Sequence, residues 1–131
     1  MTVTNGLAQR PTGWHHLLNV KGVAISVNTE PSLYLWKAVT ECASSPEEVC
    51  TRILHERMSW DWDVNTCEAL QELSPNTDIF YYANHPRVPI PPRNYCLLRH
   101  WCTINDRGDI AIVCKSVDHQ VESWGSHGRE R

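Results

Sequence analysis

Ser45-Pro46-Glu47-Glu48 opens the best-marked helix of this chain, and no other feature narrows the fold as much. A serine N-cap, a proline at the first helical position and a glutamate three residues past the cap satisfy amides that a helix start leaves unpaired. Val49, Cys50, Ile53, Leu54 and Met58 then recur at helical spacing. The helix is expected over Pro46–Met58, with an apolar face that needs a surface to pack on. Around it the chain alternates with a period of two. Val23–Val27 and Tyr34–Glu41 precede the helix; Cys67–Leu73, Ile79–Ala83, Tyr95–Ile104 and Asp109–Val117 follow it. Asn28–Ser32 and Ser74–Asn76 punctuate the strands. Asn105-Asp-Arg-Gly108 closes the last two as a hairpin, since Gly108 is free to take the positive φ of a tight turn. His85–Pro92 carries prolines at 86, 89, 91 and 92, none of which can donate in a ladder. The order β-β-α-β-β-β-β predicts an α+β fold, an antiparallel sheet with a helix packed on it. Residues 1–21, with Gly6, Pro11 and Gly13, read as a flexible leader, and residues 122–131 as a disordered tail.

At 131 residues there is room for one domain with its own core. The formal charge of −3, without a Lys/Arg cluster, argues against nucleic acid and favours an apolar ligand or a protein partner. Six cysteines occur without a secretory start, a glycosylation sequon or a Cys-x-x-Cys pair, which reads as reduced thiols in a cytosolic protein. No apolar run approaches the ~20 residues of a transmembrane helix. The seven histidines show no metal-ligand spacing, and His100 with Cys102, on the face opposite Arg99, is better explained by packing. With neither a Gly-rich phosphate loop nor a nucleophile elbow, no enzyme activity, metal or cofactor is expected.

Four ordered blocks carry a family resemblance: Arg57-Met-Ser-Trp60-Asp61-Trp62-Asp63, Asp78-Ile-Phe-Tyr-Tyr82, Pro91-Pro-Arg93-Asn-Tyr95-Cys-Leu-Leu-Arg99-His-Trp101, and Ser116-Val-Asp-His119. Together, over roughly Gly22 to Gln120, they resemble the START (steroidogenic-acute-regulatory-related lipid-transfer) domain, most of all that of Rho GTPase-activating proteins of the deleted-in-liver-cancer group. The resemblance implies a helix-grip fold, in which a curved antiparallel sheet grips a long C-terminal helix around a hydrophobic tunnel. Family members continue past the Ser-Val-x-His strand, so residues 22–121 are expected to form a partial lipid-binding domain without the gripping helix. It further implies a lipid ligand, a Rho-family GTPase reached through an upstream domain, and a cytoplasmic protein, peripheral at membranes or focal adhesions.

Arg99 is the residue singled out for binding. Alternation sets it among Tyr95, Leu97 and Trp101, an apolar row with one permanent charge. The resemblance turns it toward the cavity near the polar end of a ligand; the other reading has it snorkel outward over Trp101. Leu97, Trp101, Tyr81 and Ile112 are the candidate walls, a set that a one-residue slip would exchange for its neighbours. The strand that supplies a carboxylate partner in some relatives reads Ile79-Phe-Tyr-Tyr82 here, so the acid facing Arg99 is not identifiable. Trp60 is expected to anchor the helix end to the sheet, Asp61 to cap the turn, and Arg93 to fix the start of its strand. Two other functions stand beside lipid binding. One is an interaction or scaffold fragment with an exposed apolar face; the other is a cyclase-like enzyme needing Arg99 with Tyr81 or Tyr82.

Overall fold

The computed structural model describes residues 13–30 and 32–119, which fall into two compact units meeting in sequence at Ala43 and Ser44. The first holds a three-stranded antiparallel meander, β1 (Trp14–Val20), β2 (Val23–Asn28) and β3 (Leu35–Val39), in that spatial order. Lys21 and Gly22 both have positive φ, 48° and 81°, as a two-residue hairpin turn requires. Val27 lies opposite Trp36, and Ile25 opposite Leu18 and Ala38, so one face of the meander is apolar. β1 corrects the reading of residues 1–21 as a leader. Trp14–Val20 alternates too weakly to announce a strand, but β2 supplies its hydrogen-bond partners through a bulge at Leu17. The rest of that leader up to residue 12, and the tail from 122, lie outside the described residues.

The second unit begins with α1 (Pro46–His55) and α2 (Arg57–Trp60). The N-terminus of α1 is the expected capping box: the Glu48 amide donates to Ser45 Oγ at 3.2 Å, and the Ser45 amide to Glu48 Oε2 at 3.1 Å. Ser44 Oγ donates to the same carboxylate at 2.7 Å, and these bonds hold Glu48 below the usual carboxylate range. The helix stops three residues short of Met58. Glu56 leaves helical geometry (φ −117°, ψ 22°) while its amide still reaches the Arg52 carbonyl, and α2 resumes as a single separate turn.

Four strands follow in a sheet whose spatial order is the sequence order: β4 (Val64–Ser74), β5 (Thr77–Asn84), β6 (Asn94–Thr103) and β7 (Ile110–Ser116). All pairs are antiparallel. Gly108, with φ 82°, makes the β6–β7 turn, and Asn105 Oδ1 accepts from the Arg107 and Asp109 amides inside it. The expected single sheet is thus two sheets, one in each unit. Register assigns the faces of the larger one. Asp78, Phe80 and Tyr82 lie opposite Arg99, Leu97 and Tyr95, while Arg99 and Trp101 lie opposite Cys114 and Ile112. This face carries α1: the Leu54 carbonyl meets Arg99, and the His55 ring sits edge-on to Trp101 with centroids 6.3 Å apart. Leu54, Val64, Phe80 and Ala83 are the buried apolar residues of this unit. Among the described residues no helix is long and apolar enough to cross a membrane, and no element follows β7.

Candidate functional site

The helix-covered face of β4–β7 gathers most of the residues expected to line a ligand site. Leu97, Trp101 and Ile112 share it, each half-buried. Tyr81 does not: it lies opposite Cys96, and a strand residue one position from Phe80 and Tyr82 must point to the other side. The strand runs over Thr77–Asn84 around the expected Ile79–Ala83, and the face expected for its tyrosines is one residue out. Tyr82 takes the place proposed for Tyr81. Its ring stacks on Tyr95 with centroids 4.5 Å apart, and the Arg57 guanidinium lies 4.1 Å over it. Burial pushes the Tyr82 hydroxyl up, and nearby Arg57 partly offsets the shift.

Arg99 neither snorkels to solvent nor lacks an acid. It is 4% exposed, as is Asp78 directly across the strand pair. Nε donates to Asp78 Oδ1 at 2.8 Å and Nη2 to Oδ2 at 2.5 Å, a forked pairing that only arginine offers. Nη1 donates to the Leu54 carbonyl at 3.1 Å, satisfying an acceptor in the last turn of α1, and the Phe80 ring lies 3.7 Å beneath the guanidinium. An unpaired charge in this position would cost several kcal/mol. The pair therefore ties α1 to the sheet. Three of the five guanidinium N–H donors are used in these bonds.

Asp78 escaped detection because the strand was expected to begin at Ile79. Beginning at Thr77 instead, it places Asp78 in register with Arg99. Arg57, which stands in the helical repeat and in the Arg57–Asp63 block, bonds Asp61 Oδ2 through Nε at 3.0 Å while its face covers Tyr82. The i, i+4 spacing of Arg57 and Asp61 was the available signal.

The remaining motif residues lie around this face. Trp60 is half exposed, and its indole N–H donates to the Arg52 carbonyl at 2.9 Å. It ties α2 to α1 rather than to the sheet, because Glu56 interrupts the helix between them. Asp61 accepts from the Asp63 amide at 3.2 Å, which caps the turn. The Arg93 carbonyl accepts from the Asn84 amide at 3.0 Å, at the start of β6, while its side chain lines an open cleft of about 220 Å³ with His85, Arg87, Asp63 and Tyr95. Arg87 crosses from the proline-rich loop to bond Asp63 at 2.8 Å and to stack over Trp62. On the opposite face of the sheet His100 and Cys102 are both exposed, and His100 Nδ1 meets Thr77 Oγ1 at 2.8 Å. No group of His, Cys, Asp or Glu among the described residues is arranged to hold a metal ion. All six cysteines are free.

Comparison with known proteins gives a consistent result. The START domain family matches residues 11–128. Rho GTPase-activating protein 7 of Homo sapiens is 37% identical over 93 residues, 71% of this chain and 6% of that protein. StAR-related lipid transfer protein 8 of Homo sapiens is 32% identical over 114 residues, 85% of this chain and 11% of that protein. Among solved structures, the human StarD13 (DLC2) lipid transfer and protein localization domain superposes with a TM-score of 0.78 at 28% identity, covering 86% of this chain and 59% of that one. Human STARD10 superposes at 0.71 and 27%, covering 86% and 47%. The chain thus spans about a tenth or less of these curated relatives and about half of the matched structures.

Proposed function

The chain belongs to the START domain family, and we propose that it is a non-enzymatic lipid-binding module that holds an apolar lipid between the β4–β7 sheet and its helical cover. The observation that carries this reading is the Arg99–Asp78 pair set into the row of Phe80, Leu97, Trp101 and Ile112 beneath α1. Such a surface offers apolar area for acyl or sterol carbon beside a guanidinium, whose chemistry suits an ester, phosphate or hydroxyl oxygen. Arg57, over the Tyr82–Tyr95 stack, is a second cation on the same side. The kinship with Rho GTPase-activating proteins supports a role in Rho signalling, with GTPase contact made by another domain and the module working in the cytoplasm or peripherally at membranes.

Native mass spectrometry of protein purified from cells tests the ligand directly. A discrete lipid-mass adduct is expected, lost when Leu97→Glu puts a charge into the row. A folded protein that carries no lipid, and takes none from mixed vesicles, would refute the reading.

A further inference from the structure

We propose that the cleft between the end of β5 and the start of β6 binds a phosphate-class anion, held by Arg93, Arg87 and His85. Its frame is built from backbone. The His85 amide donates to the Asp63 carbonyl at 2.8 Å and the Asn84 amide to the Arg93 carbonyl at 3.0 Å, which fixes both ends of the proline-rich loop. Within the loop the Arg87 amide donates to the Ile90 carbonyl at 3.3 Å, an isolated antiparallel bridge. Pro91 and Pro92, each with its φ locked, lead into Arg93. The side chains of residues 85, 87 and 93 are thereby brought to the walls of one cleft.

The charges around this cleft do not cancel. Asp63 is the one carboxylate among the residues that line it, and both of its oxygens are engaged. Arg87 Nη2 lies 2.8 Å from Oδ1, and Asn84 Nδ2 donates to Oδ2 at 2.8 Å. Arg87 is held in place a second time by the Trp62 ring, whose centroid is 4.2 Å from its guanidinium. Arg93 and His85 remain on the walls as further donors, and among the described residues no carboxylate comes within ion-pair distance of Arg93. The whole chain has a formal charge of −3, so this excess of positive charge is local. Two guanidinium groups and an imidazole suit the several oxygens of a tetrahedral anion, and arginine takes phosphate through paired N–H groups. Size narrows the ligand further. At about 220 Å³ the cleft falls below the roughly 300–1,000 Å³ of pockets that enclose drug-sized molecules. It has room for a phosphate group and not for a whole lipid. A soluble phosphate and a phosphomonoester lipid headgroup offer it the same chemistry.

Titration of the full chain with inorganic phosphate, followed through its backbone amide signals by NMR, tests the site. Saturable shifts centred on His85, Arg87 and Arg93 are expected. Arg93→Gln should keep the wild-type circular dichroism and weaken phosphate binding by about 10- to 100-fold, the loss that goes with hydrogen bonds to a charged group. Lys115→Gln removes the same charge from an exposed position on β7 and should bind like wild type. His85→Gln should also weaken binding, and it keeps the question decidable if the arginine variant does not fold. Flotation with phosphatidylcholine vesicles, with and without phosphatidic acid, separates the two sources. Capture that needs both phosphatidic acid and Arg93 assigns the site to a lipid headgroup, and phosphate binding without such capture assigns it to a soluble phosphate. A chain that binds neither probe would overturn the proposal. So would shifts centred outside the cleft, or equal phosphate affinity in Arg93→Gln and Lys115→Gln.

Discussion

Removing one partner of the Arg99–Asp78 pair should be among the most damaging single changes available in the second unit. Both side chains are about 5% exposed, and the guanidinium makes two bonds to the carboxylate, one to the Leu54 carbonyl and a face contact with Phe80. Arg99→Met keeps the stem packing but strands a buried carboxylate and unties the end of α1. Asp78→Leu strands a buried cation that keeps only the Leu54 carbonyl and the ring. Each should cost about 3–5 kcal/mol, the range for halving a buried ion pair, which is a large share of a total near 5–15 kcal/mol. The double variant Asp78→Leu/Arg99→Met removes both charges together and should lie within about 1.5 kcal/mol of wild type. Urea unfolding of all four proteins gives the double-mutant cycle, with a coupling energy of at least about 2 kcal/mol expected. Single variants within about 1 kcal/mol of wild type, or a double variant as unstable as the two losses summed, would refute the claim that this pair holds helix to sheet. The cycle also decides how the pair can be tested in lipid binding: a lone Arg99→Met conflates lost stability with lost contact, whereas the double variant removes both charges at little cost in stability.

Other outcomes follow from individual contacts. Ser45→Ala should destabilise the fold by about 1 kcal/mol through the lost cap, measured by chemical unfolding at neutral pH. Glu48 is held below its ordinary value of 4.5 by the Ser44 hydroxyl and the Ser45 amide, so its contribution is present above that pH and fades as acid carries it through the lower folded value; the effect of Ser44→Ala, which removes the first of these donors, should shrink as the carboxylate is protonated. Tyr82→Leu should impair lipid uptake in a vesicle assay more than Tyr81→Leu, because Tyr81 is on the other face; the reverse ranking would refute the face assignment. Burial pushes the Cys50 and Cys96 thiols up, so iodoacetamide with peptide mapping should find both slower to alkylate at pH 8 than exposed Cys102 and Cys114.

What sequence made legible here was local chemistry with a strong, short-range cause. The capping box at Ser45–Glu48 and the Gly108 turn each depend on a few neighbouring residues and came out as expected. Strand existence was readable from β-branched and aromatic alternation, and the family blocks located the arginine row. Less legible was whatever depended on pairing across the sheet. β1 lacked a pattern of its own and exists because β2 bonds it. The helix break at Glu56, which sends Trp60 to the Arg52 carbonyl, leaves no proline or glycine in the sequence to announce it.

Arg99 shows why the two kinds of information must be joined. Alternation set it correctly beside Leu97 and Trp101, but a cation in an apolar row admits opposite readings until its counter-ion is known. Moving the start of one strand from Ile79 to Thr77 supplies that counter-ion, because Asp78 then stands directly opposite. The register with β6, which sets Tyr82 opposite Tyr95 and Tyr81 opposite Cys96, decides that Tyr82, rather than Tyr81, joins the row. Strand phase is a single binary choice for each strand, yet it assigns every side chain on it to one face or the other. At this site that choice separates a snorkelling surface arginine from a buried, forked ion pair.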